Sequence, residues 1–228
     1  MSTDFRYEVK FQINERNYSF IQSWLYGNVN FSRIHPNRTV NSLYFDDLEH
    51  SALKDNLSGI SNRSKYRLRW YGGTTNDVKN VIFEEKIRNG RVGQKKQLTV
   101  PAGFPNLSSA KLSKIANAVN SLYLDTKSSL IFDHLSPTLM LCYEREYFSD
   151  MDGIRITIDS KVRFSKPDPS KVVAQHRSLE IPGKILEFKF DLESKELARE
   201  YISKLDLTPV RNSKYLTGMA LFNDALYI

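Results

Sequence analysis

A period-two alternation of charged and apolar residues recurs along this chain and limits what it can fold into. Phe5-Arg6-Tyr7-Glu8-Val9-Lys10-Phe11 shows it most cleanly. The pattern returns at Tyr66 to Trp70, Phe83 to Arg88, Ile154 to Asp159 and Leu186 to Asp191. Such alternation belongs to strands with one apolar and one polar face. Further strands are predicted at Val40 to Asp46, Lys95 to Val100 and Leu139 to Phe148, about eight in all and mostly in hairpin-like succession. That number suits an antiparallel barrel.

Helical periodicity marks Glu15 to Tyr26, Ser108 to Leu124, Ser194 to Leu205 and Ser213 to Leu226. In the third of these, Leu197, Ala198, Tyr201, Ile202 and Leu205 trace one apolar stripe. Helices of this kind need an apolar surface to cover. If they cover the apolar face of the sheet from outside, the charged face turns inward. The expectation is an α+β fold, an eight-stranded antiparallel β-barrel forming a tunnel with a charged lumen and helices packed on the outside.

Strand parity places Arg6, Lys10, Arg67, Arg69, Lys86, Arg88, Arg155 and Lys189 on that face, with Glu8, Glu84, Asp159, Glu187 and Asp191 among them. Lys95 and Lys96 must point to opposite faces, and Leu98 and Val100 share the parity of Lys96, which leaves Lys95 inward. Antiparallel sheets often carry a merely solvated polar face. Here, however, the polar positions are nearly all fully charged, and Arg67 and Arg69 stand side by side where like charges repel. A bound polyanion relieves that crowding, because charge-assisted bonds from Arg and Lys to phosphate are strong.

The chain of 228 residues carries 33 Lys and Arg against 26 Asp and Glu, a formal charge of +7. At 40% hydrophobic it is too apolar for a disordered polycation. Residues 1–228 read as one domain, with only loop-sized Gly and Pro clusters. One cysteine, Cys142, supports neither a disulfide framework nor a Cys-rich metal site, so a reducing, cytoplasmic location is expected. The apolar run around Leu139 to Tyr143 falls far short of the roughly 20 residues that span a bilayer.

The ordered stretches Arg6 to Phe11, Asn41 to Asp47, Arg67-Leu68-Arg69-Trp70-Tyr71-Gly72, Phe83-Glu84-Glu85-Lys86, Tyr143-Glu144-Arg145, Arg155 to Asp159, Leu186-Glu187-Phe188-Lys189 and Ser213-Lys214-Tyr215 together carry a resemblance. Over nearly its whole length the chain resembles the VTC domain, the polyphosphate polymerase branch of the triphosphate tunnel metalloenzyme superfamily. The resemblance implies a tunnel whose cations hold a chain of phosphates, with Glu187 presenting a divalent metal, Mn²⁺ or Mg²⁺. It assigns phosphate contacts to Lys10, Arg67, Arg69, Lys86, Lys95, Arg145, Arg155, Lys189 and Lys214, and extends the substrate set to Tyr143, Ser213 and Arg211. Parity alone does not select Arg145, which shares a strand face with Leu141, Tyr143 and Tyr147. The family carries a lysine where Arg211 stands, which keeps the charge but changes its geometry. The superfamily's Glu-x-Glu-x-Lys strand begins here with Arg6, removing one carboxylate and arguing for one metal rather than two.

The expected activity is transfer of the γ-phosphate of ATP to a growing polyphosphate, with Arg67, Arg69, Lys86, Arg145 and Arg155 acting on the transferred group. Glu8 and Glu84 are the next metal candidates after Glu187. Hydrolysis of triphosphate or polyphosphate, or binding without catalysis, are the alternatives. No P-loop, kinase Gly-rich loop, H-E-x-x-H or G-x-S-x-G motif is present. His35, His50, His134 and His176 read as surface or satisfied residues, and Cys142 as a packing residue. A nucleic-acid partner is not expected, because Phe5, Tyr7, Tyr66, Trp70, Phe83 and Phe188 alternate with the cations and so face away from them. A membrane-protein partner is compatible with the sequence.

Overall fold

The computed structural model describes residues 7–28, 30–73, 79–90, 92–126 and 134–222. Phe5, Arg6 and the expected hairpin tip at Thr74 to Asp77 lie outside them. Among the described residues, nine strands and five α-helices follow one another as β1 (Tyr7–Ile13), α1 (Glu15–Gly27), β2 (Ser32–Asp46), α2 (Ser51–Leu57), β3 (Asn62–Tyr71), β4 (Lys79–Asn89), β5 (Val92–Thr99), α3 (Leu112–Thr126), β6 (Ser136–Ser149), β7 (Arg155–Ser165), β8 (Leu179–Glu180), β9 (Lys184–Phe190), α4 (Lys195–Ser203) and α5 (Lys214–Phe222). Every strand expected from alternation is present, joined by the two-residue β8 on β7. Hydrogen bonding orders the sheet β1-β9-β7-β6-β2-β3-β4-β5. The path ends on β1 and β5, which do not pair among the described residues, so hydrogen bonds do not close the sheet there.

The chain divides into two compact units. The first takes in the chain up to Arg38, Tyr143–Val162 and Glu180–Ser213. Its core collects Phe11 and Ile13 from β1, Ile156 and Ile158 from β7, and Leu186 and Phe188 from β9 under Ile21 and Leu25 of α1 and Ala198 and Tyr201 of α4. Register explains the selection. Phe11 pairs with Leu186, Val9 with Phe188, Ile156 with Phe188 and Ile158 with Leu186, so the apolar residues of three strands share one face. Asn14 starts α1 by accepting the Asn17 amide hydrogen at 2.9 Å, an N-cap.

The second unit holds Thr39–Cys142, Arg163–Leu179 and the chain from Lys214. Leu43, Phe45, Tyr66, Leu68, Trp70 and Phe83 pack beneath Leu112, Ile115, Ala116 and Val119 of α3. α2 was not expected, and at seven residues it is too short to show a helical period. Its N-terminus rests on buried Asp46, whose carboxylate accepts from the amides of Ala52 and Leu53 at 3.0 and 3.1 Å.

α5 departs from the expectation that all helices cover the apolar face. Its Tyr215 ring lies 5.0 Å from Tyr44, its hydroxyl donates to Asp46 Oδ2 at 2.9 Å, and Lys65 stands 5.2 Å from the same ring. Tyr44 is the cross-strand partner of Arg67, so α5 packs on the charged face. Gly218 permits this. A Cβ there would meet Leu139 and Phe164 at 2.5 Å, so a side chain would push the helix off the sheet.

Candidate functional site

In the first unit, cross-strand register builds a charged lattice. One row runs Glu8, Lys189, Arg155 and the next runs Lys10, Glu187, Thr157. Glu187, with its side chain 7% exposed, is the centre. Its Oε1 lies 3.3 Å from Lys10 Nζ, and its Oε2 lies 2.8 Å from Lys189 Nζ and 4.0 Å from Arg145 Nη2. Lys10 also stands 3.6 Å from Glu8 and donates to the carbonyl of Asn212 at 3.4 Å. Burial raises the Glu187 pKa, but Lys189, Lys10 and Arg145 outweigh it and hold the carboxyl well below its usual range.

Arg145 belongs to this lattice although strand parity did not single it out. Its Nε and Nη2 form a two-pronged pair with Asp159 at 2.5 and 2.8 Å, and its guanidinium lies 5.0 Å from the Tyr143 ring centre and 6.0 Å from that of Tyr147. The face that reads as apolar in sequence is therefore an aromatic bed for a cation. Burial lowers the Arg145 pKa, and Asp159 more than restores it, so the net shift is upward. Arg211 is exposed, beside the Asn212 carbonyl that anchors Lys10. Asp191 lies just past the end of β9. It is exposed and accepts from the amide and hydroxyl of Ser194 at the start of α4.

In the second unit the equivalent centre is Glu84, 1% exposed. Arg67 reaches its Oε2 through Nε and Nη2, both at 2.6 Å; Lys95 Nζ and Gln97 Nε2 reach Oε1 at 3.4 and 2.6 Å. Arg69 stands farther off, its Nε 3.8 Å away. Burial raises the Glu84 pKa, yet Arg67, Arg69 and Lys95 bring it down to about 2. Lys65, Lys86 and Lys95 are directly opposed across β3, β4 and β5. Lys65 was not among the expected residues, because the alternating run was read from Tyr66 onward. Lys95 faces Glu84 while Lys96 faces Glu85, as adjacency requires. Arg88 instead turns to the β4–β5 loop, donating to the Gly90 carbonyl at 3.1 Å. Lys214 begins α5 and, with Arg67 and Arg69, helps lower the pKa of Tyr44 against the opposing effect of burial. Ser213 precedes it, half-buried.

Among the described residues, no three His, Cys, Asp or Glu side chains gather to hold a metal ion. No described helix is long and apolar enough to cross a membrane. His176 is satisfied, its Nε2 accepting the Asp168 amide hydrogen at 2.8 Å. Cys142 is half-buried, 3.5 Å from Arg163 Nη2. Tyr66, Trp70, Phe83 and Phe188 lie buried in the helix-covered cores, away from the cations.

Solved structures share this arrangement of strands and helices. A candidate adenylate cyclase from Bacillus halodurans aligns with a TM-score of 0.58 at 14% identity, covering 98% of this chain and 100% of that one. A candidate adenylyl cyclase from Hippeastrum, described as having a dominant triphosphatase activity, aligns at 0.57 and 11% over 93% and 94%. One from Vibrio parahaemolyticus, also a candidate adenylate cyclase, aligns at 0.54 and 11% over 93% and 97%. The chain shares the fold of these three proteins. Residues 5–223 match the VTC domain, and the chain belongs to that family. No curated protein matches the sequence.

Proposed function

We propose that this VTC domain binds inorganic polyphosphate and extends it with the γ-phosphate of ATP. The observation that carries the reading is the crowding of cations on one sheet face. β3, β4 and β5 place Lys65, Arg67, Arg69, Lys86 and Lys95 there, around Glu84. Cations brought this close repel one another, and a phosphate chain supplies acceptor oxygens at every unit.

Phosphoryl transfer asks little covalent help from a protein, since alignment and charge neutralisation do most of the work. A terminal oxygen of the held chain attacks the γ-phosphorus, the bond to the β–γ bridging oxygen breaks, and ADP leaves. The attacking oxygen is already ionised and needs no base. The catalytic role, neutralising charge on phosphate, is assigned to Arg67, Arg69 and Lys86 of the second unit and, separately, to Arg145 and Arg155 of the first. Lys10, Lys189, Arg211, Tyr143 and Ser213, with Lys95 and Lys214, hold phosphates.

The carboxylates fit a divalent metal in one mode only. Both Glu187 oxygens already meet cations, so an all-protein cage does not form. One or two carboxylates sharing the ion with substrate phosphates is the usual Mg²⁺ arrangement, and Glu187 with Glu8, both beside Lys10, supplies it. Bound there, the ion would neutralise phosphate charge and orient the triphosphate.

Hydrolysis is the second reading, favoured by the triphosphatase activity of the Hippeastrum neighbour. Phosphorus NMR of the protein with ATP, Mn²⁺ and a short polyphosphate separates the two. Growth of mid-chain phosphate signals with ADP is expected; orthophosphate alone means hydrolysis, and unchanged ATP means binding without catalysis.

A further inference from the structure

Two uncharged side chains on the charged face of the second unit carry donor hydrogens that meet no acceptor among the described residues. Ser42 and Tyr44 both project from β2 toward this face, each opposite an arginine: Ser42 pairs with Arg69 and Tyr44 with Arg67. Ser42 is 1% exposed, and its Oγ has no hydrogen-bond partner among the described residues. The Nε of Arg69, opposite it, is likewise buried without a hydrogen-bond partner among the described residues, its ion-pair contact to Glu84 being 3.8 Å long. Tyr44 is 7% exposed; its hydroxyl oxygen accepts from Arg67 Nη1 at 3.1 Å, and among the described residues nothing accepts the hydrogen that it can itself donate. Native structures rarely leave such groups unmatched, because each buried orphan costs free energy. Three donors unmatched in one patch point to a missing acceptor, and the surrounding cations make that acceptor an anion.

We propose that the hydroxyls of Ser42 and Tyr44 form, with Arg69, a subsite that binds the oxygens of one phosphate group. The inference rests on the polyphosphate reading and deepens it, adding two neutral ligands to the cationic set. The subsite contributes directed hydrogen bonds where lysines contribute mainly charge, which makes it selective for a tetrahedral oxyanion over a diffuse negative field. The cations around Tyr44 polarise its O–H, strengthening it as a donor.

The test is calorimetric titration of the full chain with inorganic tripolyphosphate, paired with thermal melts of the free protein. Ser42→Ala is expected to weaken binding about tenfold, the usual scale for a hydrogen bond to a charged group, while the free protein melts at the same temperature or higher because an orphan has been removed. A lower melting temperature with unchanged affinity would make Ser42 structural and overturn the subsite. Tyr44→Phe keeps the ring against Tyr215 and is expected to weaken binding by a similar factor, both alone and in an Arg67→Lys background. If the effect vanishes in that background, the hydroxyl acts only by orienting Arg67 and is not a ligand. Tripolyphosphate binding that weakens in Arg67→Lys but is unchanged in Ser42→Ala and Tyr44→Phe overturns this inference alone. No binding by the unaltered chain overturns the functional reading with it.

Discussion

Lys10 and Glu187 stand directly opposite each other across the β1–β9 pair, with Lys10 Nζ 3.3 Å from Glu187 Oε1. The pair joins β1 to a well-buried carboxylate that three cations share. It also sets two roles for Glu187 against each other, ion-pair centre and metal ligand.

Removing the charge of Glu187 separates these roles. Glu187→Gln leaves Lys10, Lys189 and Arg145 crowded around a neutral amide, and the loss expected for a broken buried pair is about 3 to 5 kcal/mol. Thermal or urea unfolding checks it. Added tripolyphosphate is expected to recover much of the loss, because an anion replaces the missing carboxylate. A fully stable variant that has lost only metal-dependent turnover would assign Glu187 to metal alone.

Glu84 gives the second unit a defined acid limit. Its folded pKa of about 2 lies below the ordinary 4.5. A depressed acid pKa contributes stability that is fully present above pH 4.5 and is lost as pH falls toward 2. The contribution is on the order of 3 kcal/mol, from the size of the shift. Melts from pH 6 down to pH 2 are expected to steepen in this window for the native chain and to flatten in Glu84→Gln. Equal slopes would show that the arginines do not hold this carboxylate.

Arg67 and Arg69 are adjacent on one face but differ in their attachments. Arg67 makes two 2.6 Å contacts to Glu84 and one to Tyr44, whereas Arg69 reaches Glu84 only at 3.8 Å. Arg67→Ala is expected to destabilise the free protein by about 2 to 4 kcal/mol, by leaving Glu84 underpaired. Arg69→Ala should be neutral or slightly stabilising, since it removes a buried unmatched donor. Both should weaken polyphosphate binding. Equal melting temperatures for the two variants would contradict the difference in geometry.

The strands, and the rows of cations on them, were legible because a two-residue period is the strongest pattern a short segment can carry. Lys10, Glu187, Arg67 and Lys86 follow from parity alone. Arg145 does not, since Tyr143 and Tyr147 look apolar in sequence and only the fold reveals them as a bed for its guanidinium. Asp191 lies one residue past β9, where the amide and hydroxyl of Ser194 also reach it, a contact that alternation does not announce. Glu84 gave no hint of how many donors would converge on it, because that depends on the register of β3 and β5 against β4. Ser42 and Tyr44 were passed over for being uncharged on a face recognised by charge. The placement of α5 turns on Gly218 meeting Leu139 and Phe164, a long-range fit that local periodicity cannot carry.

The claim that the cationic faces are built for phosphate chains is tested most directly by calorimetric titration with polyphosphate across a salt series, alongside single-stranded DNA of matched charge. Tight polyphosphate binding that weakens steadily as salt rises, with a shallower slope in Lys95→Ala and much weaker DNA binding, is the expected result. Equal affinity for the two polyanions, or polyphosphate binding indifferent to salt, would contradict it.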